Sequence, residues 1–321
     1  MTPRFSVVMP AYNRADLIRI TLESILAQTL PPGEVIVVDD GSKDDTAAVA
    51  ASFGDRVRVE RIANSGDVAA RNRGIPLATG DLLAFCDSDD LWQPGHLAAM
   101  ARLWEAEPRT KVAYSNFRIV RNTTWEDRDK FADAPEGYWN GLREVGPGLG
   151  VFDGPTLPRM VRFQPFFPSA MVARADVMRD VGGWDEAVNR SATGDFGTAL
   201  RMSMHPPIGV VMEPTVGIRK HDGNYSGDVQ KMLLSDARIL EHFLSVTPAA
   251  APHADLVRAS IRERRIAALE TAFARKDFDA LPAVRQAIGA GPLSLRVRTK
   301  VAVASLPGPL RSAALRAIGR G

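Results

Sequence analysis

The chain is poor in cysteine: Cys86 is the one such residue among 321. That excludes an internal disulfide framework and any metal site built from several thiolates, and it suits a reducing compartment, with Cys86 expected in core packing. Long apolar runs are missing as well. No stretch reaches the ~18 apolar residues of a spanning helix. Met1-Thr2-Pro3-Arg4-Phe5 leads straight into a short apolar segment, without the ~7–15-residue apolar core of a secretory leader. The expected location is therefore cytoplasmic, and the sequons at Asn122, Asn189 and Asn224 carry little meaning there. Net charge is also small, +2, which gives no global signal for nucleic acid, and none is expected as a partner. Two glycine-rich nucleotide signatures are absent: no G-x-G-x-x-G follows the first apolar run, and no G-x-x-x-x-G-K-[ST] occurs. These absences exclude a dinucleotide dehydrogenase and a P-loop NTPase, so the phosphates of any nucleotide must be held another way.

What is present is a globular composition, 45% hydrophobic, with a strong alternation over the first hundred residues. Apolar β-branched runs at Phe5–Met9, Val35–Val38, Val57–Arg61 and Leu82–Cys86 are each followed by a helical pattern, at Ala15–Gln28, Asp44–Phe53, Val68–Ala78 and Gly95–Glu107. Such alternation predicts a parallel, doubly wound α/β sheet, in which ligands bind beyond the carboxyl ends of the strands. From Arg121 to Pro165 the pattern breaks into a long Gly- and Pro-rich stretch, expected to be functional. Regular structure resumes at Ser169–Arg174, with helices from Asp176 and over Asp195–Met204, a strand over Ile208–Ile218 and a helix over Asp228–Leu244. Beyond Pro248 only helices are expected. Ile266, Leu269 and Phe273 share one face there, and Phe278, Leu281, Val284 and Ile288 another.

Charge is unevenly spread along the chain. Residues 1–249 hold 27 Lys and Arg against 33 Asp and Glu, whereas residues 250–321 hold 13 against 5. After Asp279 the chain has no acid, and Arg285, Arg296, Arg298, Lys300, Arg311, Arg316 and Arg320 lie among Leu293, Leu295, Val297, Val301, Leu310, Leu315 and Ile318. Two readings stay open for this region: peripheral attachment to an anionic membrane surface, and a solvated face of a small helical cap.

The chemistry concentrates at the expected strand ends. Pro10-Ala11-Tyr12-Asn13 closes the first strand, Asp39-Asp40-Gly41-Ser42 the second and Cys86-Asp87-Ser88-Asp89-Asp90 the fourth. Five carboxylates at one edge repel one another and call for a cation. Without a nearby His/Cys pair, Mg²⁺ or Mn²⁺ fits better than zinc. A turn with a helix cap would also account for Asp39–Ser42, but three acids in four residues after Leu82–Phe85 exceed what a cap requires. Arg71 and Arg73, beside a helical segment after a turn, are placed to neutralise a diphosphate.

Taken together, Val7–Asn13, Val35–Ser42, Ala69-Ala70-Arg71-Asn72-Arg73-Gly74 and Asp87–Asp90 resemble family 2 glycosyltransferases of the GT-A fold over about residues 4–246. The resemblance implies an α/β GT-A domain over 1–246, a Rossmann-like mixed sheet, followed by a basic helical appendage over 247–321. A donor-binding half of about 1–120 would be joined to an acceptor half of about 121–246. It further implies an inverting, metal-dependent sugar transfer from a nucleotide-sugar donor to a carbohydrate or glycolipid acceptor, in polysaccharide or glycolipid synthesis. Tyr12 would stack on the base, Asp40 accept its imide hydrogen, Asp87 contact the ribose and Asp89 hold the metal, with Pro10, Asn13 and Ser88 completing the nucleotide site. Asp195 matches the acidic base position and would be ionised at neutral pH. Gly194 stands where the family carries Glu, and Gly197 where an acid often follows. Trp184 and Asp185, in Gly182-Gly183-Trp184-Asp185-Glu186, match a segment bordering the acceptor pocket, although a core Trp explains Trp184 equally. His221, in the stretch from Arg219 to Ser226, matches a late histidine that approaches the metal or diphosphate.

Two rivals remain in view. The first is a nucleotide-sugar binding protein without turnover, which Gly194 keeps open. The second is a nucleotidyltransferase, which would need a basic Gly-rich loop that Ala11-Tyr12-Asn13-Arg14 does not supply.

Overall fold

The computed structural model describes residues 3–221, 228–289 and 291–318. Asp222 to Ser226 of the late histidine motif, the Asn224 sequon and Arg320 lie outside them. Chain contacts divide the protein into two units, Met1–Asn224 and Tyr225–Gly321.

In the first unit, β1 (Phe5–Ala11) is buried at every position, as a strand covered on both faces must be. α1 (Ala15–Leu26) buries Ile18, Thr21, Leu22 and Ile25, a three-and-four spacing that turns one stripe inward. The pattern repeats through β2 (Glu34–Asp39), α2 (Thr46–Ala51), β3 (Arg58–Arg61), α3 (Asp67–Gly74), β4 (Leu82–Phe85), the two-residue β5 (Leu91–Trp92) and α4 (His96–Ala106). β1 runs parallel to β2 and β4, and β2 parallel to β3. Each fully buried Ile or Leu in the core between sheet and helices contributes roughly 1.5–3 kcal/mol.

Beyond this half the sheet becomes mixed. β6 (Val112–Arg121), β7 (Thr124–Asp129), β8 (Arg143–Gly146) and β9 (Leu149–Phe152) lead through α5 (Leu157–Arg162) to β10 (Met171–Arg174). α6 (Ala175–Asp180), α7 (Gly194–Met202) and β11 (Ile208–Lys220) complete the unit. The described strands join in the order β3-β2-β1-β4-β10-β6-β11-β9-β8, with β5 on β11 and β7 on β6. β10 inserts antiparallel between β4 and β6. β11 runs parallel to β6 and antiparallel to β9 and β5.

The stretch over 121–165 is more regular than the sequence suggested, since it supplies β7, β8, β9 and α5. β7 reads Thr-Trp-Glu-Asp-Arg-Asp and shows no buried residue, so no apolar alternation announces it; pairing with β6 holds it in place. β8 and β9 form a hairpin at Pro147-Gly148, where Gly148 has φ 68°, a conformation glycine adopts without strain.

The second unit holds α8 (Val229–Val246), α9 (Ala254–Ala274), α10 (Leu281–Ile288), α11 (Leu295–Ala304) and α12 (Gly308–Ile318). α8 packs on α9 and so belongs with the helices after it. Leu269, Leu281, Val284, Ile288 and Val297 form its core, with Ile266, Phe273 and Phe278 packed around them, so the two apolar faces read from the sequence meet. Part of the basic charge is neutralised locally: Lys300 and Arg296 both pair with Glu270. Leu295 and Leu310 remain exposed, at 77% and 59%.

Candidate active site

The site grows from the ends of β1, β2 and β4, which lie side by side. Asn13, just past β1, has φ 50°, a left-handed conformation that Asn tolerates better than most residues. Its N–H donates to Ser42 Oγ at 2.9 Å, and its Oδ1 accepts the Lys43 N–H at 2.9 Å. The tips of β1 and β2 are thereby locked together, with Pro10 buried beneath them and Tyr12 40% exposed above. The two acids after β2 differ in their surroundings. Asp39 is fully buried, accepts the Ser42 N–H at 3.1 Å and pairs with Arg61 at 3.1 Å. Asp40 accepts the N–H groups of Ser65 at 2.6 Å and Gly66 at 2.9 Å, and the Asn64 amide at 3.1 Å. A carboxylate has about four acceptor sites, so Asp40 keeps room for roughly one more donor.

Beyond β4, Asp87 is fixed from two sides: its N–H donates to Ser169 Oγ at 2.9 Å, and its carboxylate accepts from Arg71 Nη2 at 2.6 Å. Arg71 is 3% exposed, bonds Asp67 at 2.5 Å through Nη1, and lies 4.6 Å from the Trp184 ring centroid. Burial pushes the Asp87 carboxyl up, Arg71 pulls it down, and neighbouring Asp89 pushes it up again; the net direction is upward. Asp90 is pushed further up by burial, then by Asp89 and Asp87, although Ser169 Oγ and the Arg219 N–H at 2.9 Å both donate to it. Ser88 is buried, and its carbonyl accepts from Thr21 at 3.1 Å.

Asp89 points to a different set of partners: His221 Nε2 lies 2.9 Å from its Oδ2, and Arg14 Nε 3.4 Å. β11 thus delivers His221 to the acid expected to hold a metal. Among the described residues no three His, Cys, Asp or Glu side chains gather closely enough to hold an ion by themselves. One carboxylate with one imidazole nevertheless fits Mn²⁺ or Mg²⁺, ions that usually take one or two carboxylates and complete their shell from substrate phosphates and water.

Asp195 opens α7 and is half-buried, with the Gln164 amide donating to its Oδ2 at 3.4 Å. Gly194 has a local reason: a Cβ there would stand 3.0 Å from the Val188 carbonyl and 3.7 Å from Val68. Two expectations need correction. Trp184 is 1% exposed and packs edge-on against Phe85 at 5.1 Å, so its ring is core and offers no open face to a sugar. Arg73 pairs with Glu60 on β3, which leaves Arg71 as the arginine beside Asp87. Asp185 caps a short turn, accepting the Ala187 N–H at 3.1 Å. The sequence reading missed Arg14, Ser169 and Gln164, because they reach Asp89, Asp87 and Asp195 across long separations in the chain.

A cavity of about 310 Å³ lies apart from these strand ends, lined by Lys111, Arg174, Asp176 and His205 among others. It coincides with none of the acids described above.

The architecture, a mixed α/β sheet with acids at the ends of β2 and β4, is that of GT-A glycosyltransferase folds. The family model described as Glycosyl transferase family 2 matches residues 6–166, half of the chain. The protein belongs to that family. Among curated relatives, the uncharacterized glycosyltransferase YwdF of Bacillus subtilis (strain 168) is 40% identical over 198 residues, 60% of this chain and 66% of that protein. Matches to the first eight relatives span between 18% and 66% of those proteins' lengths. The crystal structure of S. aureus TarS 1-349 in complex with UDP-GlcNAc superimposes with a TM-score of 0.62 at 20% identity, covering 89% of this chain and 81% of that one. Mannosyltransferase PcManGT from Pyrobaculum calidifontis, in complex with GDP-Man and Mn2+, superimposes with a TM-score of 0.55 at 20% identity, covering 98% and 84%.

Proposed function

We propose that the protein transfers a sugar, with inversion, from a nucleoside-diphosphate sugar to a hydroxyl acceptor in polysaccharide or glycolipid synthesis. The observation that carries the reading is the gathering of Tyr12, Asp40, Arg71, Asp87 and Asp89 on adjoining strand ends, with His221 reaching Asp89 from the second half of the sheet. In this reading about 1–120 serves the donor and the rest of the first unit the acceptor, the boundary expected at 246 moving to 224 because α8 packs on α9. Tyr12 offers an exposed ring to the base, Asp40 its remaining acceptor site to an imide N–H, and Asp87, oriented by Arg71 and Ser169, accepts from the ribose. Pro10, Asn13 and Ser88 shape the same subsite.

Asp195 takes the proton from the acceptor hydroxyl as its oxygen attacks the anomeric carbon, and the bond to the nucleoside diphosphate breaks on the opposite face. Proton transfer by a positioned side chain contributes about 10²–10⁴-fold. Gln164, bonded to the Asp195 carboxylate, sets its orientation. Asp89 and His221 would hold a divalent cation, which supplies charge neutralisation on the diphosphate. Arg14, 3.4 Å from Asp89, adds positive charge to the same region. The support from known proteins is the family membership, together with the nucleotide sugars and the Mn²⁺ bound by the two neighbours.

The test is release of nucleoside diphosphate from a panel of UDP-, GDP- and dTDP-sugars with Mn²⁺, comparing the native protein with Asp195→Asn. A fall of about 10²–10⁴-fold with donor binding retained supports the assignment. Equal release by both overturns the role of Asp195. Binding with no release by either favours a silent nucleotide-sugar binder, the reading that Gly194 supports.

The location proposed is the cytoplasmic face of a membrane, held peripherally by the second unit. Among the described residues no helix is long and apolar enough to cross a membrane. Exposed Leu295 and Leu310 among basic residues would rest on anionic lipid, each basic group near the surface contributing ~1 kcal/mol. Sedimentation with anionic liposomes, with and without residues 292–321, decides this: equal pelleting of both removes the attachment.

A further inference from the structure

The segment between Gly183 and α7 is tied to α3 and to the loop at 64–66 by contacts between residues far apart in the chain. The Trp184 N–H donates to Asn72 Oδ1 at 2.7 Å, and Asn72 Nδ2 donates back to the Trp184 carbonyl at 2.9 Å and to Glu186 Oε1 at 3.1 Å. Asn189 Nδ2 donates to the Ser65 carbonyl at 2.6 Å. Arg190 Nη2 donates to both the backbone oxygen and Oδ1 of Asn64, each at 3.0 Å. Asn64, Ser65 and Gly66 are the residues that donate to the Asp40 carboxylate. One short loop therefore serves Asp40 on one side and Asn189 and Arg190 on the other.

The fit there is close. A Cβ on Gly66 would stand 2.3 Å from Asn189 Oδ1, an atom that is itself buried without a hydrogen-bond partner. Arg190 is held at φ 62°, a left-handed conformation that a non-glycine residue keeps where its surroundings fix it. From Arg190 the chain passes through Ser191–Thr193 into the first turn of α7 and Asp195, where Gly194 lies close against the carbonyl of Val188.

We propose that Asn189 and Arg190 are positioning residues that join the Asp40 loop to α7, so that filling the nucleotide subsite orders the segment carrying Asp195. The inference rests on the nucleotide-sugar reading above. A ligand that draws on the last acceptor site of Asp40 stabilises the loop at 64–66, and the loop stabilises residues 184–195 through the contacts just described. By linkage, ordering α7 in turn favours nucleotide binding.

The experiment is hydrogen–deuterium exchange on the full chain with Mn²⁺ and, in turn, UDP, GDP and dTDP. For the native protein, the nucleotide that protects amides 62–68 is expected to slow exchange at 184–196 as well, on the order of five-fold or more. In Asn189→Ala/Arg190→Ala, protection at 62–68 should remain and the response at 184–196 should vanish; Arg190→Lys alone, able to donate one of the two bonds, should recover part of it. A merely structural role would lower stability without separating the two responses. Protection at 62–68 with no response at 184–196 in the native protein, or an undiminished response in the double variant, overturns the coupling and leaves the nucleotide reading standing. No protection at 62–68 by any of the three nucleotides overturns both.

Discussion

Replacing Arg71 with Met tests whether the buried guanidinium holds the donor side of the site together. Met keeps an apolar stem of similar length and removes the charge between Asp67 and Asp87, which stand 2.5 and 2.6 Å away. The Asp67 side chain is 54% exposed, so its pair is solvent-screened and contributes at most about 1 kcal/mol. Asp87 is the partner that decides. Removing one member of a buried pair costs about 3–5 kcal/mol because the other charge is left unneutralised. The 31% exposure of the Asp87 side chain moves the expectation to the lower end, about 3 kcal/mol, and loss of the contact with Trp184 adds ~1 kcal/mol.

The pH dependence has a definite sign. Asp87 already titrates above its ordinary value, and loss of Arg71 raises it further. A carboxyl that binds its proton more tightly in the native state than in the unfolded chain makes stability fall as pH rises, from the unfolded value near 3.9 through the raised native value. The Arg71→Met deficit should therefore widen from pH 4 toward pH 8, and Asp87→Asn in the same background should recover at least half of it. Urea unfolding at several pH values measures both, with an expected midpoint shift of roughly 1–2 M at neutral pH. A variant within about 1 kcal/mol of the native protein at neutral pH, or a deficit flat across this range, refutes the reasoning.

Burial holds His96 at about 3 against its ordinary 6.5, so the stability it contributes is complete above pH 6.5 and lost as pH falls toward 3. The loss is on the order of 3 kcal/mol by pH 4.5; His96→Gln should shallow the acid limb of a pH–stability curve, and an unchanged slope contradicts this. For Asp89→Asn, the extra thermal stabilisation that Mn²⁺ adds to a bound nucleoside diphosphate should disappear, where full retention rules out Asp89 as a metal ligand. In the native protein such a gain reaches ~2.7 kcal/mol at a hundred times Kd. Cys86 is fully buried, and its thiol is pushed well up by burial and then by Asp90, Asp87 and Asp89. Iodoacetamide should leave it untouched in the folded protein and alkylate it in guanidinium, so prompt labelling of folded protein would place the thiol outside the core.

The first half of the fold was legible because each strand there is announced by its own residues. Val35–Val38 is β-branched throughout and is followed by turn residues, and the acids sit where a parallel sheet puts its ligands. Sequence position was enough to bring Asp40, Asp87 and Asp89 to neighbouring strand ends. What stayed hidden depends on partners remote in the chain. β7 and β8 are strands because β6 and β9 present open edges to them, not because Thr124–Asp129 or Arg143–Gly146 alternate. The corrections at Trp184 and Arg73 have the same origin. A tryptophan after two glycines reads as exposed or buried with equal ease until Phe85 and Arg71 are known to enclose it. Two arginines two positions apart on α3 face different neighbours, since a helix turns about 200° between them.

The placement of β11 bears on how the molecule must be made. The stretch that defines family membership ends at residue 166, yet two of the three strands paired with β6, β10 and β11, come from later in the chain. A nascent chain halted at that point carries the acids after β2 and β4, but leaves one edge of β6 bare for want of β11, covers the other only where β7 pairs with it, and lacks the histidine that meets Asp89. Synthesis must pass Lys220 before the interior is sealed, so a fragment cut to the recognisable motif should be an aggregating polypeptide and not a minimal enzyme.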